Sequence, residues 1–212
     1  MSYPLQTVIK TCQRFAEILQ PHCEPGRFFF AGSIRREHKE VKDIEIVCLP
    51  KKELKKNDAI LFDEGSVVVS PDFIHGIAEI AEEIIKGNPD GRYMQIKTKS
   101  RLCPGIKLDL FMPQPDDFFR QLVIRTGSRD YVHHIIASAW VRKGYVGAGE
   151  DGLRKKECCI QVTHGDHLKW KLLNPFQSKA PAWQSEEEFF NWLGLQWIPP
   201  KYREHIQKST KQ

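Results

Sequence analysis

No apolar run in this 212-residue chain approaches the about 20 residues that a helix needs to cross a bilayer, which excludes a helical membrane span. The opening residues, Met1-Ser2-Tyr3-Pro4, lack the basic-then-apolar order of a secretory leader. Cysteine is present, at 12, 23, 48, 103, 158 and 159, but without the paired spacing of a disulfide framework. Reduced thiols of an intracellular protein are therefore expected, cytoplasmic or, in a eukaryotic or viral setting, nuclear. A dominant charge of one sign is also missing: the formal net charge of +5 is compatible with a polyanionic partner without requiring one. What remains, with 41% hydrophobic and 28% charged residues, is an ordinary globular composition with room for one or two small cored domains.

The stretch Phe28 to Arg36, followed by Val41 to Val47, organises the chain. Phe28-Phe29-Phe30-Ala31 is short, apolar and aromatic, so it reads as a buried strand. Gly32 then permits a sharp turn and a close backbone approach by another group. Ser33 reads as the N-cap of a basic helical turn, Ile34 to His38. Free backbone N–H groups, a hydroxyl and the guanidinium of Arg36 would together suit an anion; Arg35 is expected to pair with Glu37 or Glu40. On the next strand Asp43 and Glu45 stand two apart and project from one face, while Ile44, Ile46 and Leu49 point the other way. Two adjacent carboxylates repel one another and resist desolvation, and a divalent cation relieves that repulsion. A third strand, Ile106 to Met112, puts Leu108, Leu110 and Met112 on one face and Asp109, with Lys107 and Phe111, on the other. If it lies beside the Asp43 strand, three carboxylates meet.

In chain order, residues 5–20 show helical spacing (Val8, Cys12, Phe15, Ile18, Leu19) ended by Pro21. Lys51 to Lys56 is a charged connection. Pro71 to Lys86 reads as a helix, and Asn88-Pro89-Asp90-Gly91 as a turn. Arg92 to Arg101 alternates as a strand whose outer face carries Tyr93, Gln95, Lys97, Lys99 and Arg101. That face is either simply solvated or tracks a nucleic-acid backbone; Lys97, Lys99, Arg101 and Lys107 are the candidate DNA contacts. Pro113-Gln114-Pro115 breaks the chain, placing a domain boundary near 115. Asp116-Asp117 would then cap a helix from Phe118 to Ile124. Helices are expected over Asp130–Lys143 and Glu186–Leu193, with a strand at Cys158 to Val162. Cys158 and Cys159 point to opposite strand faces, which disfavours a zinc site with His164 and His167. Arg203, Lys208 and Lys211 read as a basic tail.

Gly32-Ser33, Arg36, Asp43-Ile44-Glu45 and Asp109, in this order and spacing, resemble the nucleotidyltransferase superfamily and, within it, the DNA polymerase beta-like family X. Ile124-Arg125-Thr126-Gly127-Ser128 is similar to the family's aromatic-aromatic-Thr-Gly-Ser signature. Trp140 to Tyr145 is similar to the helix and turn that follow it. Ser185 to Phe190, Leu193-Gly194-Leu195 and Pro199-Pro200 resemble its closing segment. The resemblance implies an α+β protein with a nucleotidyltransferase palm at 1–115 and a thumb-like domain at 116–212, a short form without the N-terminal lyase and helix-hairpin-helix modules. It implies catalysis by Asp43, Glu45 and Asp109, which would also ligate two Mg²⁺ ions, with Mn²⁺ able to substitute. Gly32, Ser33, Arg36, Thr126, Gly127 and Ser128 would bind the nucleotide. The partners implied are nucleoside triphosphates and primer-template or gapped DNA, with no membrane and a monomeric chain.

Some positions depart from the family pattern. Glu45 stands where the polymerase has Asp. Ile124 and Arg125 stand where it has the aromatic pair at the sugar, and Val132 and Ile136 where it has groups that contact base and template. Weak nucleotide selection is therefore expected, with Arg125 snorkelling away from the site. Three functions remain open: a DNA polymerase, a nucleotidyltransferase acting on RNA, protein or a small molecule, and a non-catalytic DNA-binding module.

Overall fold

The computed structural model describes residues 1–55, 66–173 and 179–204. The chain divides into two compact units, Met1–Thr126 and Gly127–Gln212. The division falls later than the boundary expected near 115, because the helix after the proline break lies within the first unit. Lys56, Lys208 and Lys211 lie outside the described residues.

The first unit is built on a five-stranded mixed sheet. Its main elements are α1 (Leu5–Leu19), β1 (Cys23–Phe30), α2 (Gly32–Arg35), β2 (Asp43–Pro50), α3 (Pro71–Ile80), β3 (Ala81–Gly87), β4 (Tyr93–Thr98), β5 (Lys107–Phe111) and α4 (Phe118–Thr126); Lys52–Lys55, expected as part of a charged connection, instead pairs as a strand with Ser66–Val69. The strand order is β1-β2-β5-β4-β3, with β2 and β5 parallel and the other neighbours antiparallel. Strand alternation divides the side chains between two faces. Ile44, Ile46, Cys48, Met94, Ile96, Leu108 and Leu110 point to one face and are fully buried, packed with Val8, Cys12, Phe15 and Leu19 of α1 and Phe73, Ile77 and Ile80 of α3. Enclosing one such side chain contributes on the order of 2–3 kcal/mol, so this face holds the unit together. The other face carries Asp43, Glu45, Lys107, Asp109, Phe111, Tyr93 and Gln95. Towards β1 it meets α4, where the Phe29 and Phe118 rings lie 6.0 Å apart.

The helix expected from Pro71 to Lys86 ends at Ile80; residues 81–87 form an exposed edge strand paired with β4. Phe73, Ile77 and Ile80 complete one buried stripe. Beyond it the chain follows the open backbone of β4, and the β-branched Ile84 and Ile85 suit a strand. The Asn88 turn forms as expected, with the Gly91 amide donating to the Asn88 carbonyl at 3.1 Å.

The second unit begins with a helical run, α5 (Arg129–Tyr131), a π-turn segment (Val132–Ala137) and α6 (Ser138–Arg142). Two hairpins follow, β6 (Tyr145–Gly147) with β7 (Leu153–Lys155) and β8 (Cys159–His164) with β9 (His167–Leu172). Helix α7 (Glu186–Leu193) starts at a Ser185 side chain that accepts from the Glu188 amide and stops at Gly194 in the left-handed region. Arg203 corrects the expectation of a mobile basic tail. It is fully buried, donates twice to the Glu186 carboxylate at 2.7 and 3.0 Å and once to the Ile198 carbonyl at 2.8 Å, and lies 5.0 Å from the Phe190 ring. A guanidinium without that carboxylate would be too costly to bury; with it, the pair ties the end of the described chain to α7. All six cysteines are unpaired, five of them buried. Among the described residues no helix is long and apolar enough to cross a membrane.

Candidate active site

Parallel pairing of β2 and β5 sets Glu45 opposite Asp109 and Asp43 opposite Lys107. The three carboxylates thus share one sheet face, as the period-two pattern requires once these strands are neighbours. Burial does most to push Asp43 above the ordinary carboxylate range, and the Asp109 charge adds to it. Glu45 is pushed up to about 7, by burial first and then by Asp43 and Asp109, with Arg125 and Arg36 pulling the other way. The cluster therefore carries mutually repelling negative charge that its own cations only partly offset.

Asp109 is held from β4. The Tyr93 hydroxyl donates to its Oδ1 at 2.6 Å and the Gln95 amide at 2.8 Å. Tyr93 in turn is pushed up to about 12, chiefly by burial and then by this bond, so it stays a donor. Both residues lie on the outward face of the strand, where sequence alternation had placed them. Their role was not legible because it depends on β4 being the neighbour of β5.

The close approach foreseen at Gly32 is made by Glu45. Gly32 has φ +55°, and a Cβ there would lie 1.6 Å from Glu45 Oε2. Only glycine leaves room for that carboxylate and takes that backbone conformation without strain. Ser33 is not the N-cap that was expected. The helical turn is Gly32–Arg35, its cap position is Ala31, and no side chain caps it. Turn formation starts two residues earlier because the Ala31 amide is already fixed to the Glu45 carbonyl at 2.8 Å.

Arg36 and Arg35 converge on Thr126 at the end of α4. Arg36 Nη1 donates to its carbonyl at 2.7 Å and Arg35 Nη1 to its hydroxyl at 2.8 Å. Arg35 therefore reaches α4, and its guanidinium also lies 5.6 Å from the Phe29 ring. Thr126 is fully buried, with both oxygens engaged. In the second unit, Ser128 caps α5 by accepting from the Tyr131 amide at 3.2 Å, and its hydroxyl donates to the Glu204 carbonyl at 2.9 Å.

Arg125 overturns the expectation that it would snorkel away. Its guanidinium lies over the Phe111 ring, 3.9 Å from the centroid, on the carboxylate face. Its Nε is buried without a hydrogen-bond partner. Burial lowers its pKa, while Glu45 and Asp109 act to raise it.

The expected DNA contacts do not form one basic stripe. β4 ends at Thr98, so Lys99 and Arg101 lie past the strand. Lys97 pairs with Glu82 at 2.8 Å and Lys99 Nζ donates to the Ala78 carbonyl at 3.0 Å. Lys107 is exposed beside Asp43.

Among the described residues no three His, Cys, Asp or Glu side chains form a ready-made cation cage; Glu45 is folded against Gly32. The donor set nonetheless fits hard divalent cations: three carboxylates on one face, incompletely compensated, one of them already oriented by two hydrogen bonds. Of the known proteins compared with this chain, no curated protein matches it. Residues 121–204, which run from within α4 to the end of the described second unit, match the family described as DNA polymerase beta thumb.

Proposed function

We propose that the chain is a nucleotidyltransferase of the DNA polymerase beta type that adds nucleotides to a DNA 3′-hydroxyl, in gap filling or repair. The observation that carries this reading is the in-register pair Glu45–Asp109 with Asp43 on the same face, in a chain whose second unit is similar to a polymerase thumb.

Asp43, Glu45 and Asp109 are the residues that would hold two Mg²⁺ ions. When bound, those ions lower the pKa of an attacking hydroxyl and neutralise the triphosphate as pyrophosphate leaves. Tyr93 and Gln95 fix the Asp109 carboxylate so that one oxygen stays engaged and the other is presented in a set direction. Glu45, folded against Gly32, would have to leave that seat to join the ligand set, and the absence of a side chain at Gly32 gives it space to move. Arg36, anchored through Thr126, supplies positive charge beside the turn without depending on a mobile side chain. Ser33 and the Gly32-Ser33 backbone complete the phosphate end of the site. Of Thr126, Gly127 and Ser128, Gly127 would make the direct contact with the sugar, since Thr126 is buried with both oxygens engaged and the Ser128 amide and hydroxyl are engaged elsewhere.

Incubation with labelled nicked, gapped, blunt and single-stranded DNA, with each dNTP or rNTP and Mg²⁺ or Mn²⁺, tests this reading. Extension by the native chain and its loss in Asp109→Ala are expected. Equal extension by Asp109→Ala would remove the triad from the mechanism; transfer only to RNA, protein or a small molecule would change the acceptor and keep the chemistry.

A further inference from the structure

Arg125 sits where the carboxylate face ends. Along this face of β2 and β5 the register runs Asp43–Lys107, Glu45–Asp109 and Val47–Phe111. Lys107 therefore flanks the acidic cluster at one end, and the guanidinium stacked on Phe111 flanks it at the other. The seat of that guanidinium is itself braced: the Tyr93 ring packs on Phe111 with centroids 5.2 Å apart, and Tyr93 donates to Asp109. The face of the Arg125 guanidinium is thus fixed, yet no hydrogen bond to it is formed among the described residues, and its Nε is buried and unpartnered. Five N–H donors in a fixed plane near Glu45 and Asp109, bonded to neither, do not make a structural ion pair. They supply a compensating field that does not use up the carboxylate oxygens.

We infer that Arg125 is a built-in counter-ion of the carboxylate cluster, held on Phe111, which divalent cations must work against to occupy Asp43, Glu45 and Asp109. This rests on the nucleotidyl-transfer reading and adds a cost of cation entry to it. Without a cation, the guanidinium seated on Phe111, two residues along β5 from Asp109, supplies positive charge at this end of the carboxylate face. Each divalent cation on the carboxylate oxygens cancels the charge that Arg125 offsets, and once two are bound the three carboxylates are outweighed and Arg125 faces net positive charge. The cost falls once an anion arrives to meet the exposed donors, and a triphosphate is such an anion. Cation and nucleotide binding are coupled through this one side chain: the cation binds weakly alone and more tightly with the nucleotide.

The test is Mn²⁺ binding by calorimetry on the full chain without nucleotide, at low ionic strength and at the same pH for every variant. Arg125→Gln should bind Mn²⁺ roughly tenfold more tightly than the native chain, and Arg125→Lys should stay near the native value; the gap should shrink in about 1 M salt. Addition of a triphosphate should tighten Mn²⁺ binding in the native chain more than in Arg125→Gln. A role confined to packing would move the melting temperature and leave cation affinity unchanged. If Arg125→Gln does not fold, Phe111→Leu makes the same comparison by removing the ring that seats the guanidinium, with tighter binding again expected. Equal or weaker binding in Arg125→Gln, or in Phe111→Leu, overturns the inference. If the native chain extends DNA while those variants bind Mn²⁺ no better, only the counter-ion role fails. If no variant binds Mn²⁺ and the native chain extends no primer, the nucleotidyl-transfer reading fails with it.

Discussion

Glu45 gathers most of the conflicts of this site into one side chain. It is pushed up to about 7, whereas an unfolded glutamate titrates near its ordinary value of 4.5. The folded chain therefore holds a proton that the unfolded chain releases between those two pH values. Stability from this group is intact below about pH 4.5 and is lost as pH rises through 7. Asp43 is shifted in the same direction and adds to the loss. Glu45→Gln should then stabilise the cation-free chain by about 2–3 kcal/mol at pH 8 and do little at pH 4, a rise of roughly 5 °C in melting temperature at the higher pH only. Differential scanning calorimetry at the two pH values checks this, and an equal effect at both would show that Glu45 is not strained by its charge. Gly32→Ala meets the same carboxylate from the other side. A methyl 1.6 Å from Oε2 cannot be accommodated without displacing Glu45, and a non-glycine residue at φ +55° adds strain of about 1 kcal/mol. Loss of nucleotide addition together with a lowered melting temperature is expected, and retained activity would show that Glu45 can work from elsewhere.

At the scale of the element, the features legible in the sequence were those set by local pattern. The period-two alternation of Asp43 to Val47 and of Lys107 to Phe111 gave the acidic face, and the helix expected over Glu186–Leu193 formed with those bounds. Features that depend on which elements become neighbours were not legible. The β3 segment has the apolar content of a helix continuation, and only the open edge of β4 makes it a strand. Tyr93 and Gln95 were placed on the correct face without any indication that Asp109 would be beside them. The basic residues of β4 looked alike in sequence, but the structure gives each a different partner. This reverses what is expected of them. Lys97→Ala with Lys99→Ala should leave the log–log salt slope of DNA binding nearly unchanged, because neither ammonium is held in readiness for phosphate. A fall of about 0.9 per lysine on duplex DNA would restore the phosphate-tracking role.

The whole molecule has two separately cored units, and the same pattern-reading that found the acidic face overlooked what holds the second together. Arg203 near the chain end looked like part of a solvated tail because nothing in its local sequence marks burial; its partner Glu186 is 17 residues away, in α7. The two units also differ in a way that lets them be followed apart. All five tryptophans, at 140, 170, 183, 192 and 197, belong to the second unit, so tryptophan emission reports on it alone. Trp183 and Trp192 lie within one aromatic cluster with Phe189 and Tyr145, and Trp197 lies 5.8 Å from the Arg203 guanidinium. Arg203→Met removes the two charged hydrogen bonds that the buried Glu186 carboxylate accepts from Arg203, which costs about 3–5 kcal/mol. That loss should lower the unfolding midpoint seen by tryptophan emission while the carboxylate cluster, in the other unit, keeps its pH-dependent stability. Adding Glu186→Leu removes the other buried charge as well and should recover much of the loss, since a buried ion pair replaced as a whole by apolar side chains is often neutral. Urea titration followed by tryptophan emission distinguishes the outcomes. If the single and the double substitution are equally destabilised, the Arg203 bond to the Ile198 carbonyl and its aromatic contacts, and not its pairing with Glu186, are what hold the end of the described chain in place.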